Sequence, residues 1–163
     1  MDSIQIFWMQ ILASLLVFGI IALWYARPYL RTLSRNSALL PLLFVHTFRY
    51  VGMTLLVPGM IDPRLPGEFL SSAAYGDLLA AALALASILA LRSNWRFAIP
   101  LAWVANTWGF VDLLNAVRNV LVVNLPSFSL GTIWYIYAFF GPLVIVSHLL
   151  IFWVLIDSKA WKK

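Results

Sequence analysis

The stretch GTIWYIYAFFGPLVIVSHLLIFWVLI, residues 131–156, decides the fold of this protein. It contains no Asp, Glu, Lys or Arg, and His148 is its one side chain that titrates near neutral pH. A helix that crosses a bilayer needs about 20 mostly apolar residues, because the hydrocarbon core is about 30 Å thick and a helix rises about 1.5 Å per residue. The stretch therefore predicts a transmembrane helix.

The whole chain has the composition of a lipid-embedded protein. Of its 163 residues, 63% are hydrophobic and 10% are charged, and the mean hydropathy is +0.92. These values exclude a soluble globular domain and a disordered chain, and long continuous apolar runs favour helices over membrane strands. We predict an all-α, polytopic bundle of five transmembrane helices that forms a single integral membrane domain over residues 1–163. The predicted spans are residues 4–26, 38–57, 72–91, 97–118 and 131–156.

Lysine and arginine are concentrated in the connections on one side of the predicted bundle. Cytoplasmic loops carry the excess of these residues, so their distribution predicts orientation. It predicts an N-terminus outside, a C-terminus inside and a retained first helix, since no basic segment precedes the first apolar run. The cations on the predicted inner side are Arg27, Arg31, Arg35, Arg92, Arg96, Lys159, Lys162 and Lys163, and those on the outer side are Arg64 and Arg118.

The distribution of charge and the absence of cysteine limit the classes of partner and the kinds of site that the chain can have. The net charge is +5, but the cations are scattered through short loops, which is a topology signal and predicts no nucleic-acid partner. The sequence has no cysteine, which excludes disulfides, thiolate metal sites and cysteine nucleophiles. We expect the lipid bilayer around the chain. We also expect a homo-oligomer or a partner membrane subunit, because five helices enclose only a narrow interior.

Three charged residues inside the predicted spans form the first part of a candidate site: Arg49, Asp77 and Asp112. Charged groups at membrane depth are costly, and they face one another or a functional site. Counting about 1.5 Å per residue places the two carboxylates roughly 20 Å from the inner surface, within reach of Arg49. We therefore predict that the three share one layer. Asn115 lies on the same helical face as Asp112, since residues three apart on a helix are neighbours.

The two histidines form the second part. His46 and His148 both lie roughly 12 Å from the inner surface by the same count, and Asn106 falls at that depth too. We predict a second layer of these three side chains, one helical turn inward of the first. Arg49 follows His46 by three residues and shares its helical face.

The charged layer supports two functional interpretations. Two carboxylates and one guanidinium leave a surplus negative charge, which a proton or a bound cation must balance in a low dielectric. Such a carboxyl is typical of proton-coupled chemistry. The first hypothesis is a transporter or a proton/ion-coupled membrane protein of unknown substrate, with His148 as a proton partner and a water-accessible cavity opening outward between spans two, three and four. The alternative is a structural ion-pair cluster in a non-catalytic subunit or assembly factor of a larger membrane complex.

The histidine layer supports a different hypothesis. Two histidines at matched depth can ligate a b-type haem axially, with Arg49 beside a propionate. The chain would then be a haem b-binding electron-transfer or quinone-reactive membrane subunit. No His-x-x-x-His or Glu-x-x-His spacing occurs, so we predict no other metal site. An intramembrane enzyme acting on lipid or isoprenoid substrates, with the aspartates as acid and base, is a further alternative that no spacing favours, and no catalytic residue is assigned.

The order and spacing of several short motifs resemble a family of small uncharacterised bacterial integral membrane proteins. The resemblance covers about residues 44–150 and implies a bacterial cytoplasmic (inner) membrane location, with Arg49, Asp77, Asp112 and His148 as the shared polar set. It transfers no activity. The motifs are Arg49-x-x-Gly52, Leu65-Pro66, Gly76-Asp77, the stretch WGFVDLLNA at 108–116, and Gly141-Pro142-Leu143-Val144-x-x-x-His148-Leu149.

Overall fold

The computed structural model describes residues 1–157, and all regular secondary structure in that range is helical, as predicted. The α-helices are α1 (Ser3–Ile21), α2 (Arg27–Leu30), α3 (Arg35–Thr47), α4 (Gly67–Arg92), α5 (Ala98–Val123) and α6 (Gly141–Ile156). Two π-helical turns, Ala22–Ala26 and Ile136–Phe140, and three 3₁₀ segments, Phe48–Leu56, Leu125–Ser127 and Gly131–Ile133, connect them.

These elements join into five helical rods, close to the five predicted spans. Within residues 1–157, four rods are long and apolar enough to cross a membrane: Ser3–Leu30, Arg35–Leu56, Gly67–Arg92 and Gly131–Ile156. The remaining rod, the fourth along the chain, is α5, which corresponds to the predicted span 97–118 but is less apolar. It carries several polar side chains. They include Asn106, Asp112, Asn115, Arg118 and Asn119.

The first rod runs through Pro28, beyond the end of the predicted first span at residue 26. A proline has no N–H for the carbonyl four residues before it, and its ring clashes with that carbonyl. Here that carbonyl belongs to Trp24, which lies inside the π turn Ala22–Ala26. The wider turn accommodates the proline, so the rod ends at Leu30 instead of Ala26.

The rod Gly131–Ile156 repeats this arrangement at Pro142. The carbonyl four residues before it belongs to Ala138, inside the second π turn. Ser14 of α1 donates a hydrogen bond of 2.8 Å from its Oγ to that carbonyl. The first rod thereby satisfies a backbone acceptor that proline leaves free in the last, and this polar contact ties the two rods together.

The second rod changes helix type half-way along. Its α-helical part, α3, is capped by Ser34, whose Oγ accepts a 3.3 Å hydrogen bond from the Ser37 amide. From Phe48 the rod tightens into a 3₁₀ helix of nine residues, although 3₁₀ runs longer than three or four residues are uncommon. Because a 3₁₀ helix has 3.0 residues per turn, residues three apart line up. Arg49, Gly52 and Leu55 are the buried face of this segment.

Opposite ends of the bundle have separate apolar cores. One core gathers residues from the end of the first rod, the start of the second, the end of α4, the start of α5 and the end of α6. The other gathers residues from the start of α1, the start of α4 and the α5–α6 connection. The rods therefore run alternately up and down, with residue 1 and residue 157 near opposite ends.

The arginines predicted for the inner side lie at the end where α6 finishes. The guanidinium carbons of Arg27 and Arg31 lie 5.1 and 5.5 Å from the ring centre of Trp153. Arg35 Nη2 donates a 2.5 Å hydrogen bond to the carbonyl of Leu155, one of the last acceptors of α6. Lys159, Lys162 and Lys163 lie outside the described residues.

At the other end, the connection between the second and third rods is fixed by Asp62. The side chain of Asp62 accepts hydrogen bonds from the Arg64 side chain at 2.7 and 3.0 Å and from the Ser129 amide at 3.3 Å. The Asp62 amide in turn donates to the Ser129 carbonyl at 3.1 Å. The Arg64 guanidinium holds the pKa of the Asp62 carboxyl well below its usual range. The contact between Asp62 and Ser129 therefore joins the connection between the second and third rods to the connection between the fourth and last rods.

Candidate functional site

Arg49 is the centre of the polar interior. Its side chain is 3% exposed and uses all three nitrogens. Nε donates to Asp77 Oδ1 of α4 at 2.7 Å, Nη2 donates to Asp112 Oδ2 of α5 at 2.5 Å, and Nη1 donates to the Gly109 carbonyl at 2.9 Å. One guanidinium therefore ties the second, third and fourth rods together.

Glycine makes room for each carboxylate. A Cβ on Gly52 would lie 2.9 Å from both Cβ and Cγ of Asp77, and still closer to its Oδ2. A Cβ on Gly76 would lie 2.8 Å from Asp112 Cγ, and still closer to its Oδ1. Real side chains do not tolerate such contacts, so only glycine at these two positions allows the charged groups to meet.

A third glycine, Gly109, lies where the charged layer meets the histidine layer. A Cβ on Gly109 would lie 3.1 Å from Arg49 Nη1 and 3.0 Å from His148 Cε1. The guanidinium and the imidazole therefore share the space beside one backbone position of α5. The two predicted layers are one continuous polar interior.

The histidine rings pack against each other. His46 and His148 are 4% and 1% exposed, and their ring centres lie 4.1 Å apart at an interplanar angle of 51°. His46 Nε2 lies 3.2 Å from Ser147 Oγ, and that hydroxyl donates to the Leu42 carbonyl at 3.2 Å. The hydroxyl proton is used in this second bond, so His46 Nε2 carries the hydrogen in the first.

Asn106 sets the tautomer of His148. Its Nδ2 donates to the His148 carbonyl at 3.4 Å, which turns its Oδ1 toward His148 Nδ1 at 2.8 Å. An amide oxygen only accepts, so Nδ1 carries the ring hydrogen and Nε2 of the neutral ring keeps a lone pair. Nε2 is buried and has no hydrogen-bond partner among residues 1–157.

A cavity of about 340 Å³ reaches the charged layer from the side. Its walls come from α1, α5, the π turn Ile136–Phe140 and the start of α6, and almost all of the lining is apolar. Arg49 and Asp77 stand at its inner boundary. Leu12 and Val117 line the cavity and are themselves 66% and 40% exposed. The cavity therefore opens at the lateral surface of the bundle, between α1 and α5.

A family profile covers almost the whole of this architecture. The profile is described as a domain of unknown function, DUF8737, and it matches residues 6–156. The chain belongs to the DUF8737 family. No curated protein and no solved structure matches this DUF8737 chain. The predicted likeness to an uncharacterised family is confirmed to this extent.

The histidines of this DUF8737 protein do not fit an axial haem. Axial ligands stand on opposite faces of a flat macrocycle, which must lie between their rings. Here the rings of His46 and His148 are in contact, with no space for a macrocycle between them. His148 Nδ1 and His46 Nε2 are also engaged with Asn106 and Ser147. Within residues 1–157, no group of three His, Cys, Asp or Glu side chains is arranged to hold a metal ion.

The DUF8737 structure brings six of the seven predicted site residues into direct contact. Arg49, Asp77 and Asp112 form one hydrogen-bonded group, and His46, Asn106 and His148 form the second. Asn115 stands apart. It lines a narrow crevice between α4 and α5, where Asp112 and Tyr137 also lie. The function of all seven residues stays a prediction.

Sequence reasoning missed three features of the DUF8737 site. The three glycines sit three residues after Arg49, one before Asp77 and three before Asp112, and these spacings were the available signal. Ser147 contacts His46, not the adjacent His148, because the two lie on different faces of α6. The cavity lies between the first, fourth and last rods, whereas we expected one between the second, third and fourth, and no sequence signal placed α1 there.

Proposed function

We propose that this DUF8737 protein is a multi-pass protein of a bacterial cytoplasmic membrane that couples proton binding to transport. Its proposed topology is N-terminus outside and C-terminus inside. Four rods of sufficient length and apolarity support insertion. Arg27, Arg31 and Arg35 at the end where α6 finishes support the orientation, by the positive-inside rule.

One observation carries the proton coupling: a single guanidinium is shared by two carboxylates. Arg49 donates to both Asp77 and Asp112, so the group holds one surplus negative charge when both carboxyls are ionised. A low-dielectric interior disfavours that surplus, and one proton removes it. The group therefore has two charge states that differ by one proton.

Access to the group supports transport over a purely structural role. The Asp77 side chain is 24% exposed and lines the cavity, so a proton can reach it. The guanidinium that holds it is 3% exposed. The cation is thus almost fully buried, whereas the carboxylate that can take up a proton is partly exposed at the cavity. The homo-oligomer or partner subunit expected from the sequence stays a prediction.

Infrared difference spectroscopy on the purified protein in lipid nanodiscs tests the proton site. Acid-minus-alkaline spectra are expected to contain the C=O band of one protonated buried carboxylic acid, and Asp77→Asn with Asp112→Asn removes it. Asp62→Asn is the control, because Asp62 lies in a connection outside the rods. A wild-type protein without such a band contradicts the proposal, as does a band that persists in the double variant.

The orientation has its own test, for which the absence of cysteine provides a clean background. Pro63→Cys and Ser93→Cys place single thiols at exposed positions in connections on opposite sides. A membrane-impermeant maleimide added to intact cells is expected to label Pro63→Cys at once and Ser93→Cys only after permeabilisation. The reverse pattern contradicts the proposed topology.

A further inference from the structure

The cavity beside Asp77 has the size and the walls of a ligand site. Its volume of about 340 Å³ falls within the range of about 300–1,000 Å³ found for small-molecule pockets. Its lining is apolar except at the inner boundary, where Arg49 and Asp77 lie, and near Tyr137. A hydrated inorganic ion would lose its water against such walls without replacement, so the fitting molecule is largely hydrophobic.

The polar end of the cavity offers an acceptor instead of a donor. Every nitrogen of Arg49 already donates, to Asp77, to Asp112 and to the Gly109 carbonyl. Two carboxylates already oppose the guanidinium charge, so an anionic head would meet a group with a net negative charge. The exposed group is the carboxylate of Asp77, which selects a hydrogen-bond donor or a cation.

Charge and aromatic lining both select a cation. The Arg49–Asp77–Asp112 group needs one positive charge for balance, and besides a proton only a monocation supplies it. Aromatic faces attract cations that have lost their water. The other charged or titratable groups facing Asp77 are Arg49 from the second rod, Asp112 from α5 and Tyr137 from the π turn. The aromatic side chains that line the cavity are Phe7, Trp8, Tyr137 and Phe140.

The opening faces sideways. α1 packs against α6 and the π turn Ile136–Phe140 but not extensively against α5. The gap between α1 and α5 is bordered by the exposed side chains of Leu12 and Val117. In the proposed membrane setting this gap faces lipid, so a largely hydrophobic molecule can enter the cavity from the bilayer.

We propose that the cavity binds a lipophilic monocation, such as a quaternary or protonated amine or a phosphonium with hydrocarbon or aromatic groups, in exchange for the proton on the Arg49–Asp77–Asp112 group. The inference rests on the proposed proton coupling and adds its substrate class. When the cation arrives beside Asp77, one proton leaves the carboxyl pair, so the charge of the cavity is unchanged. No covalent bond of the cation is made or broken.

Two probes of matched shape and opposite charge test the inference: tetraphenylphosphonium and tetraphenylborate. Calorimetric titration of the full chain in nanodiscs of zwitterionic lipid, with empty nanodiscs subtracted, is expected to give saturable binding of the phosphonium alone. Its affinity is expected to rise about tenfold per pH unit while the proton is being displaced, because one proton is exchanged per cation. Repeating the titration in buffers of different ionisation enthalpy measures the number of protons released per cation bound.

Variants locate the binding. Asp77→Asn is expected to weaken phosphonium binding at least tenfold and to abolish the proton release. Ala116→Trp fills the cavity from α5 while all three charged residues are kept, and it is expected to weaken binding to the same extent. Ala82→Trp, on the exposed face of α4 and outside the cavity, is the matched control and is expected to bind like the wild type.

Three results would overturn the inference: equal binding of the borate, phosphonium binding that Ala116→Trp leaves intact, or no phosphonium binding at any pH. The first would indicate a general site for hydrophobic molecules. The infrared band separates this failure from that of the proposed function. A protein that keeps the band but binds no phosphonium remains proton-coupled with another substrate, whereas a protein without the band fails both.

Discussion

The carboxylate of Asp77 fills the space that a side chain on Gly52 would occupy. The two residues belong to different rods, and a Cβ on Gly52 would lie 2.9 Å from Asp77 Cβ and Cγ. Arg49, one 3₁₀ turn before Gly52, donates to the same carboxylate at 2.7 Å. The glycine and the arginine therefore act on one aspartate from adjacent positions of the same helical face.

Gly52→Ala is expected to destabilise the protein by about 1–3 kcal/mol, because the added methyl group displaces Asp77 from Arg49. Reversible unfolding in mixed detergent micelles measures the loss. Gly19→Ala is the matched control, since no atom lies within 4 Å of the added carbon, and it is expected to be neutral or to stabilise α1. Equal stability of the two variants would show that the close approach is unimportant.

Removing the shared cation is expected to cost more than removing one of its anions. Arg49→Ala leaves two carboxylates without a counter-charge, and breaking a buried ion pair from one side costs about 3–5 kcal/mol. Asp112→Asn leaves the balanced pair Arg49–Asp77 and is expected to cost clearly less. The same unfolding experiment ranks them, and a reversed order would contradict the surplus negative charge.

The two asparagines of α5 predicted for the site are expected to respond differently. Asn106→Leu removes the 2.8 Å partner of His148 Nδ1, and a buried polar atom left unpaired costs about 1–3 kcal/mol. Asn115→Leu changes an exposed position in the crevice beside Asp112 and is expected to be neutral within about 0.5 kcal/mol. A large loss from Asn115→Leu would place that side chain inside the working site.

Ser14 and Pro142 are expected to be coupled through the Ala138 carbonyl. Ser14→Ala alone leaves that acceptor unsatisfied and costs about 0.6–1.5 kcal/mol, the range for membrane side-chain hydrogen bonds. Pro142→Ala supplies an N–H at the position that can bond the same carbonyl. A double-mutant cycle is expected to show a smaller cost for Ser14→Ala in that background. Additive costs would mean that the hydroxyl does not replace the missing N–H.

The connection between the second and third rods is expected to respond to acid through Asp62. The pKa of this carboxyl is lower in the folded than in the unfolded chain, so its contribution is complete above the unfolded value of about 4 and is lost as pH falls toward the folded value. Asp62→Asn is expected to be less stable than the wild type at pH 7, with a difference that shrinks below about pH 4. A constant difference across that range would exclude the charge as its cause.

Depth counting along the sequence predicted which polar residues meet. Regular rise per residue is common to all membrane helices, so Arg49, Asp77 and Asp112 could be assigned to one level from their positions in the chain. The same count paired His46 with His148.

The sequence could not predict where the rods depart from α-helical geometry. Pro28 reads as a stop, yet a π turn before it lets the rod continue to Leu30. The 3₁₀ segment around Arg49 has no distinctive composition. The cavity depends on how α1 leans against the other rods, and the uniformly apolar α1 carries no periodic pattern that fixes its rotation.

The nine-residue 3₁₀ segment that carries Arg49 has a mechanical consequence. A 3₁₀ helix rises about 2.0 Å per residue and an α-helix about 1.5 Å, so changing Phe48–Leu56 from one form to the other would shorten it by about 4.5 Å. The turn per residue would change as well, taking Gly52 and Leu55 out of line with Arg49. The helix type of this segment therefore sets both the length of the second rod and the direction in which the Arg49 side chain points.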